Sequence, residues 1–529
     1  MSATDSQYGT EAKEPHSRHS EIQNKATSDV SFQDGNVTKV THADGAVDYI
    51  DIKAVGGDYA LMRRGYFRSP QFLGTLTSVE MLIVANTCNG VAAAGQLSFN
   101  IVMGELVPNK WRGPVCSILL LSSLPFAVFG PVIARSLFNN TVSRWRWSYY
   151  MGDILGVIAL VLYWFCYSPP SYSQLHVHGK TRWQMTKDLD YFGMFLYVAG
   201  CVLFLIGLSW GGSAYPWASA EVLCTLLIGV ATLAAFAVYE GFFCKVQPLM
   251  PPRMFRNVGY AAIVAVATIG AMVYFSLTVL WPTIIGTIYT TDSMQIGWQS
   301  SVVGGGMLLG QTMAGFCISY VPKVKWQCIA AAATALAYSA SLTTISPDRW
   351  AATIALGILL VISAGFIENI SLPGVTLVWE PQDIGLATGV LGSIRSMGGA
   401  IATALYSSVL ANEVDKNLPK YVVPAATDAG LPESSVESLF AAITAGDLTQ
   451  VPGISPEIIT AVGGALKTAY TSSFRVVFYT TIPFAVILLL SAFLVPDMEK
   501  FLSHNVAKKL QDTNSETGSQ EKRETTQQV

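Results

Sequence analysis

Residues Ala351 to Gly374 read AATIALGILLVISAGFIENISLPG, a run in which Glu368 is the single ionisable side chain. As a helix rising 1.5 Å per residue, such a run is roughly 35 Å long, enough to cross a hydrocarbon core of about 30 Å. Ten further runs of comparable character lie at 82–107, 114–135, 147–167, 191–210, 219–240, 259–289, 299–321, 326–345, 384–410 and 476–496, which makes eleven. The composition agrees. Of the 529 residues 51% are hydrophobic and 13% charged, against roughly 25% charged in a soluble domain, and the mean hydropathy is +0.42. The 45 glycines and 24 prolines suit membrane helices that pack closely and kink. These features predict an all-α polytopic membrane protein.

A net charge of −3 and a pI near 6.1 provide no basic field for nucleic acid. The eight cysteines are scattered, with no CxxC and no adjacent histidine, so no metal site is expected and they read as reduced packing residues. No short apolar segment followed by a small-residue cleavage site stands near the start, so targeting is expected from the first span.

Residues 1–70 and 498–529 are polar and low in core-forming residues, and read as disordered cytosolic tails. Between them the chain divides into an N-terminal helical bundle at 71–168, central loops with two linker spans at 169–257, and a C-terminal bundle at 258–497. Lys110 and Arg112, Lys180, Arg182 and Lys187, Lys245, Arg253 and Arg256, and Lys323 and Lys325 fall in alternate loops, which places those loops in the cytosol. The long segment 411–474, rich in acids such as Asp415, Asp428 and Glu437, then lies outside. So does Asn139 of Asn139-Asn140-Thr141, a candidate glycosylation site. The front of the chain breaks this order. Arg63, Arg64 and Arg68 precede the first run and Lys110 and Arg112 follow it, and one helix cannot have both flanks in the cytosol. Either residues 72–107 form two short helices meeting near Asn86, Asn89 and Gly90, or an odd number of spans is missing between residues 70 and 81.

The segment Asn89 to Phe99, the turn Glu105-Leu106-Val107-Pro108-Asn109-Lys110-Trp111-Arg112-Gly113-Pro114, and Trp145-Arg146-Trp147-Ser148-Tyr149-Tyr150 resemble the fungal trichothecene efflux pump family, a fourteen-span branch of the major facilitator superfamily. The likeness continues through Leu189-Asp190-Tyr191-Phe192-Gly193, Gly392 to Ala400, and Tyr470 to Arg475, covering about residues 45–500. In that family the segment resembling 82–107 is the fourth span, so the resemblance implies that most of spans one to three has no counterpart here. The charge pattern and the resemblance point to the same gap. In a fold of inverted three-helix repeats the gap would amount to one repeat of the N-terminal bundle.

All six histidines lie in tails or loops, so proton coupling would rest on carboxylates. Glu368 is the deepest, and an unpaired carboxylate there would cost several kcal/mol. It is expected either to pair with Asn369 or a neighbouring helix, or to carry a proton or contact substrate. Arg395 lies in an otherwise small and apolar helix, as a partner for Glu368, a cytosolic gate, or a side chain reaching the interface. Gln96, Asn100, Gln311 and Asn369 could meet a substrate, with Tyr274 and Trp281 as aromatic walls; interhelical hydrogen bonds of about 1 kcal/mol are the alternative for the polar ones. Gating candidates are Glu105 and Arg112 at a cytosolic end, Arg146 between two tryptophans, and Gly130-Pro131. That pair resembles part of an antiporter signature, and a plain proline kink is the alternative. Gly304, Gly305, Gly306, Gly310 and Gly315 read as a close-packing face rather than a phosphate loop.

The expected function is proton-driven export of hydrophobic toxins, secondary metabolites or drugs. The implied partners are the bilayer, a small hydrophobic substrate and protons, with no cofactor beyond the proton gradient. The plasma membrane is the expected location, with vacuolar or vesicle membranes as alternatives. A siderophore-iron importer of the same superfamily and a truncated, non-transporting chain are the other readings. An enzyme is remote, because no nucleophile, base and orienting group occur together. An anionic ferric chelate would meet a net acidic outer segment and Arg395 as the one deep cation, whereas an apolar neutral molecule would meet no such barrier.

Overall fold

The computed structural model describes residues 37–41, 47–51, 79–143, 145–166, 182–212, 214–244, 247–379, 383–445 and 451–502. Eight helices among these residues are long and apolar enough to cross a membrane. Strands β1 (Val37–Thr41) and β2 (Val47–Asp51) form an antiparallel hairpin inside the segment expected to be a disordered tail. The β-branched residues Val37, Thr38, Val40 and Thr41 of one strand and Val47 and Ile50 of the other suit a sheet, and polar composition over the whole tail conceals them.

The N-terminal helices are α1 (Val79–Leu97), α2 (Phe99–Leu106), α3 (Arg112–Leu121), α4 (Leu124–Ala127), α5 (Gly130–Asn140) and α6 (Arg146–Cys166). Two expected spans are therefore interrupted. The first breaks at Ser98, not near Gly90, and the Ser98 hydroxyl donates to the Gly95 carbonyl at 2.7 Å. In the second, the Ser122 and Ser123 hydroxyls donate to the Leu119 and Leu120 carbonyls at 2.6 and 2.7 Å. Serine hydroxyls compete with the helical ladder in this way, and Pro125 and Pro131 open the next pieces in first-turn positions that suit proline. Gly130-Pro131 thus starts a helix rather than kinking one.

After the short α7 (Arg182–Lys187) come α8 (Tyr191–Trp210) and α9 (Ala220–Val238), which pack against each other as the linker pair. A one-turn α10 (Pro252–Phe255) precedes α11 (Val258–Ile284), α12 (Ser293–Tyr320), α13 (Val324–Ser341), α14 (Trp350–Val378), α15 (Ile384–Asp428), α16 (Val436–Ala445) and α17 (Pro456–Leu494). The starts are capped locally: Asn257 accepts from the Gly259 and Tyr260 amides, Asp292 from Met294 and Ser455 from Ile458, satisfying donors that a helix leaves free. Helix α13, expected as a span, is alanine-rich and falls outside the eight.

The segment 411–474 is not the open loop its acids suggest. Helices α15 and α17 run on through much of it, and with α16 they enclose a small core of Val422, Ala426, Leu439, Ile458 and Val462. The pairs 422/426 and 458/462 share a helix face at i,i+4 spacing, which acidic neighbours obscure.

The main core lies in the C-terminal helices, around Tyr260, Trp281, Ile367 and Phe474. Helices α12 and α14 approach closely: a Cβ on Gly310 would overlap the Ile362 carbonyl oxygen, and one on Gly365 the Met307 carbonyl oxygen. Gly310→Ala is expected to destabilise by about 1–3 kcal/mol through overpacking. Gly389→Ala, with nothing within 4 Å of the added atom, should hold or slightly raise the melting midpoint of purified protein, because alanine favours a helix interior over glycine. Equal midpoints for the two variants would refute the close packing. Helices α3 and α5 lie against α12, while no residue in the apolar window of α6 is buried.

Candidate functional site

Glu368 lies ten residues before the end of α14 and Arg395 eleven after the start of α15, roughly 15 Å and 16 Å from those neighbouring ends. The two antiparallel helices thus hold both charges at one depth. An ion pair joins Arg395 Nη2 to Glu368 Oε1, with the residues 8% and 4% exposed. Gln311 of α12 donates from Nε2 to Glu368 Oε2 at 3.2 Å. The adjacent Asn369 projects about 100° around α14 and donates to Ser117 Oγ of α3 at 2.8 Å and to the Gln311 carbonyl. Ser117 in turn donates to that carbonyl at 3.0 Å. One polar layer therefore ties α3, α12, α14 and α15 together.

The layer is incompletely satisfied. Asn369 Oδ1 and Arg395 Nε are buried and have no hydrogen-bond partner among the described residues, and buried polar atoms in that state are rare and costly. The Arg395 guanidinium sits 5.8 Å from the Phe275 ring centre, and Tyr274 is within electrostatic reach of both Glu368 and Arg395. The pair is thus held by one ionic contact and one neutral donor to the carboxylate, which leaves it free to separate if that contact is lost. A fully satisfied network would resist that.

A second cluster clamps α2 to α14 near their C-terminal ends. Arg112 donates to the carbonyls of Val107 at 3.2 Å, Thr376 at 2.7 Å and Gly104. These carbonyls lie near the C-terminal ends of α2 and α14, where the helix dipole favours a cation. Burial pulls the Arg112 guanidinium down to about 10, which leaves it charged at neutral pH. Asn100 of α2 donates to the Leu372 carbonyl at 3.1 Å, so it belongs to this clamp rather than to the layer around Glu368.

The other candidates are dispersed. Trp281 is fully buried against Gly357 and donates to the Gln299 carbonyl at 3.2 Å; it is a core residue, not a wall. Arg146 opens α6 with its guanidinium 4.7 Å from the Trp145 ring centre. Asn139 is exposed near the end of α5, where the Thr141 hydroxyl of its triplet donates to the Leu137 carbonyl at 2.6 Å. Gln96 and Glu105 lie in α1 and α2, and their side chains fall outside the described residues. Ser117 and Phe275 escape sequence reasoning, because a serine or phenylalanine in an apolar run carries no signal of its own.

Residues 70–525 match the family described as fungal trichothecene efflux pump (TRI12). The chain is 28% identical over 448 residues to the trichothecene efflux pump TRI12 of Fusarium sporotrichioides, covering 83% of this chain and 74% of that protein. It is 28% identical over 435 residues to the MFS-type transporter prx5 of Penicillium rubens, covering 81% and 78%. Among solved structures it is similar to a bacterial homologue of the human lysosomal transporter Spinster, inward-facing and occupied. That likeness has 15% identity and a TM-score of 0.35 over 83% of this chain and 96% of the other. With most of its length matched and multiple membrane-spanning helices around a buried charge pair, the chain belongs to the fungal trichothecene efflux pump family of membrane transporters.

Proposed function

We propose that the protein exports neutral or weakly basic, largely apolar toxins or secondary metabolites across the plasma membrane in exchange for protons, with Glu368 as the proton carrier. The observation that carries this is the buried Glu368–Arg395 pair with Gln311 as third partner. Protonation of Glu368 from outside removes the charge that holds Arg395. Helices α14 and α15 lose their strongest polar tie, and the freed guanidinium turns to other acceptors. Loss of the proton to the cytosol restores the pair. Substrate release and proton entry thereby become alternate events at one layer, and no nucleotide is required.

Cells expressing the protein should accumulate several-fold less of an added trichothecene than cells without it, and the difference should vanish when a protonophore collapses the gradient. Iron-dependent growth rescue by a supplied siderophore, with unchanged toxin accumulation, would instead establish uptake. The exposure of the α6 apolar window favours a second reading, an N-terminal bundle short of one repeat that does not transport. Unchanged accumulation of both compound classes would establish that one.

A further inference from the structure

Helices α8 and α15 touch at both ends of their shared seam and part between them. At one end the Tyr197 hydroxyl donates to the Ser393 carbonyl at 3.4 Å, and Cys201 Sγ lies 3.1 Å from Met397 Sδ. At the other, Ser408 donates to the Gly211 carbonyl and Asn412 packs against Gly212. The gap is a cavity of about 850 Å³ whose walls include Leu205, Phe275, Ser396, Ala400, Ala404 and Ser407, with no charged side chain among them. That volume is within the range of small-molecule sites. Residues 396 and 407 are eleven apart on one helix, so their hydroxyls stand roughly 16 Å from each other along the axis. Neither hydroxyl makes a hydrogen bond among the described residues, whereas Thr403 spends its own on the Gly399 carbonyl of α15 and Ser408 on the Gly211 carbonyl just past α8.

Phe275 is the shared wall between this cavity and the charge layer. It lines the cavity and also lies under the Arg395 guanidinium. The ring is seated so closely on α15 that a Cβ on Gly399 would overlap it. A molecule filling the cavity therefore presses on the ring that supports Arg395.

We propose that this cavity binds an uncharged, elongated polycyclic molecule with oxygen acceptors towards its ends, and that Phe275 transmits its presence to the Glu368–Arg395 pair. This rests on the export reading for its substrate class, but the site can be tested by binding alone. The volume and the uncharged walls favour such a molecule over an ion, and the two free hydroxyls favour it over a wholly apolar chain.

The test uses the purified full chain in nanodiscs, with an acylated trichothecene as the probe. Ala404→Trp, which fills the cavity, should weaken equilibrium binding of the probe at least tenfold with an unchanged melting midpoint. Ser407→Ala, which removes one hydroxyl, should weaken it about three- to tenfold. At saturating probe, Phe275→Leu should lower probe-stimulated proton movement in liposomes at least tenfold, a larger loss than any weakening of its equilibrium binding. Normal binding by both Ala404→Trp and Ser407→Ala would overturn the site. So would a copurifying phospholipid that the probe does not displace, which would make the cavity a seat for an acyl chain. Normal proton movement in Phe275→Leu would overturn the relay. If the unsubstituted protein binds the probe, and the variants lose it as stated, but no export occurs, the site stands and the export reading fails.

Discussion

Replacing Arg395 with alanine is expected to destabilise the protein by about 3–5 kcal/mol, the cost of stranding a buried partner charge. Glu368 is 4% exposed and would keep only the Gln311 amide as a donor. The double variant Glu368→Gln/Arg395→Ala should cost less than the sum of the two single changes, because removing both charges removes the stranded one. Reversible unfolding in mild detergent measures both effects. Additive costs, or a loss below about 1 kcal/mol for Arg395→Ala, would show that the pair is solvated rather than buried.

Glu368→Gln is expected to lower proton-driven export at least a hundredfold while the protein still reaches the membrane. Glutamine keeps the shape and an oxygen that can accept from Gln311 and Arg395, so its stability cost should be well below that of Arg395→Ala. It cannot gain and lose a proton near neutral pH. Transport at the unsubstituted rate would make the carboxylate structural and remove it from the mechanism.

The legible part of this protein was the part governed by bulk hydropathy and by isolated charge. An apolar run holding one carboxylate, and another holding one guanidinium, must find partners inside a membrane, and Glu368 and Arg395 find each other. Gln311 and Asn369 join them for the same reason. Trp281 and Asn100 are less legible, because an aromatic ring or an amide suits a packed core or a clamp as well as a binding layer. The helix breaks at Ser98 and Ser122-Ser123 depend on hydroxyls bonding back to nearby carbonyls, a choice hydropathy does not register. The helices of 411–474 hide behind acidic residues for a related reason: their burial is against one another. The cavity between α8 and α15 is farther still from any local pattern, since serine, alanine and glycine on one face of α15 could equally have met a neighbour along their full length.

The most direct measurement of the central claim follows proton movement in proteoliposomes carrying an internal pH indicator and an imposed pH gradient. Adding an uncharged trichothecene should make the unsubstituted protein dissipate the gradient in step with substrate movement, and Glu368→Gln should do neither. Substrate movement with no accompanying proton flux, or gradient dissipation by Glu368→Gln equal to that of the unsubstituted protein, would contradict proton exchange at Glu368.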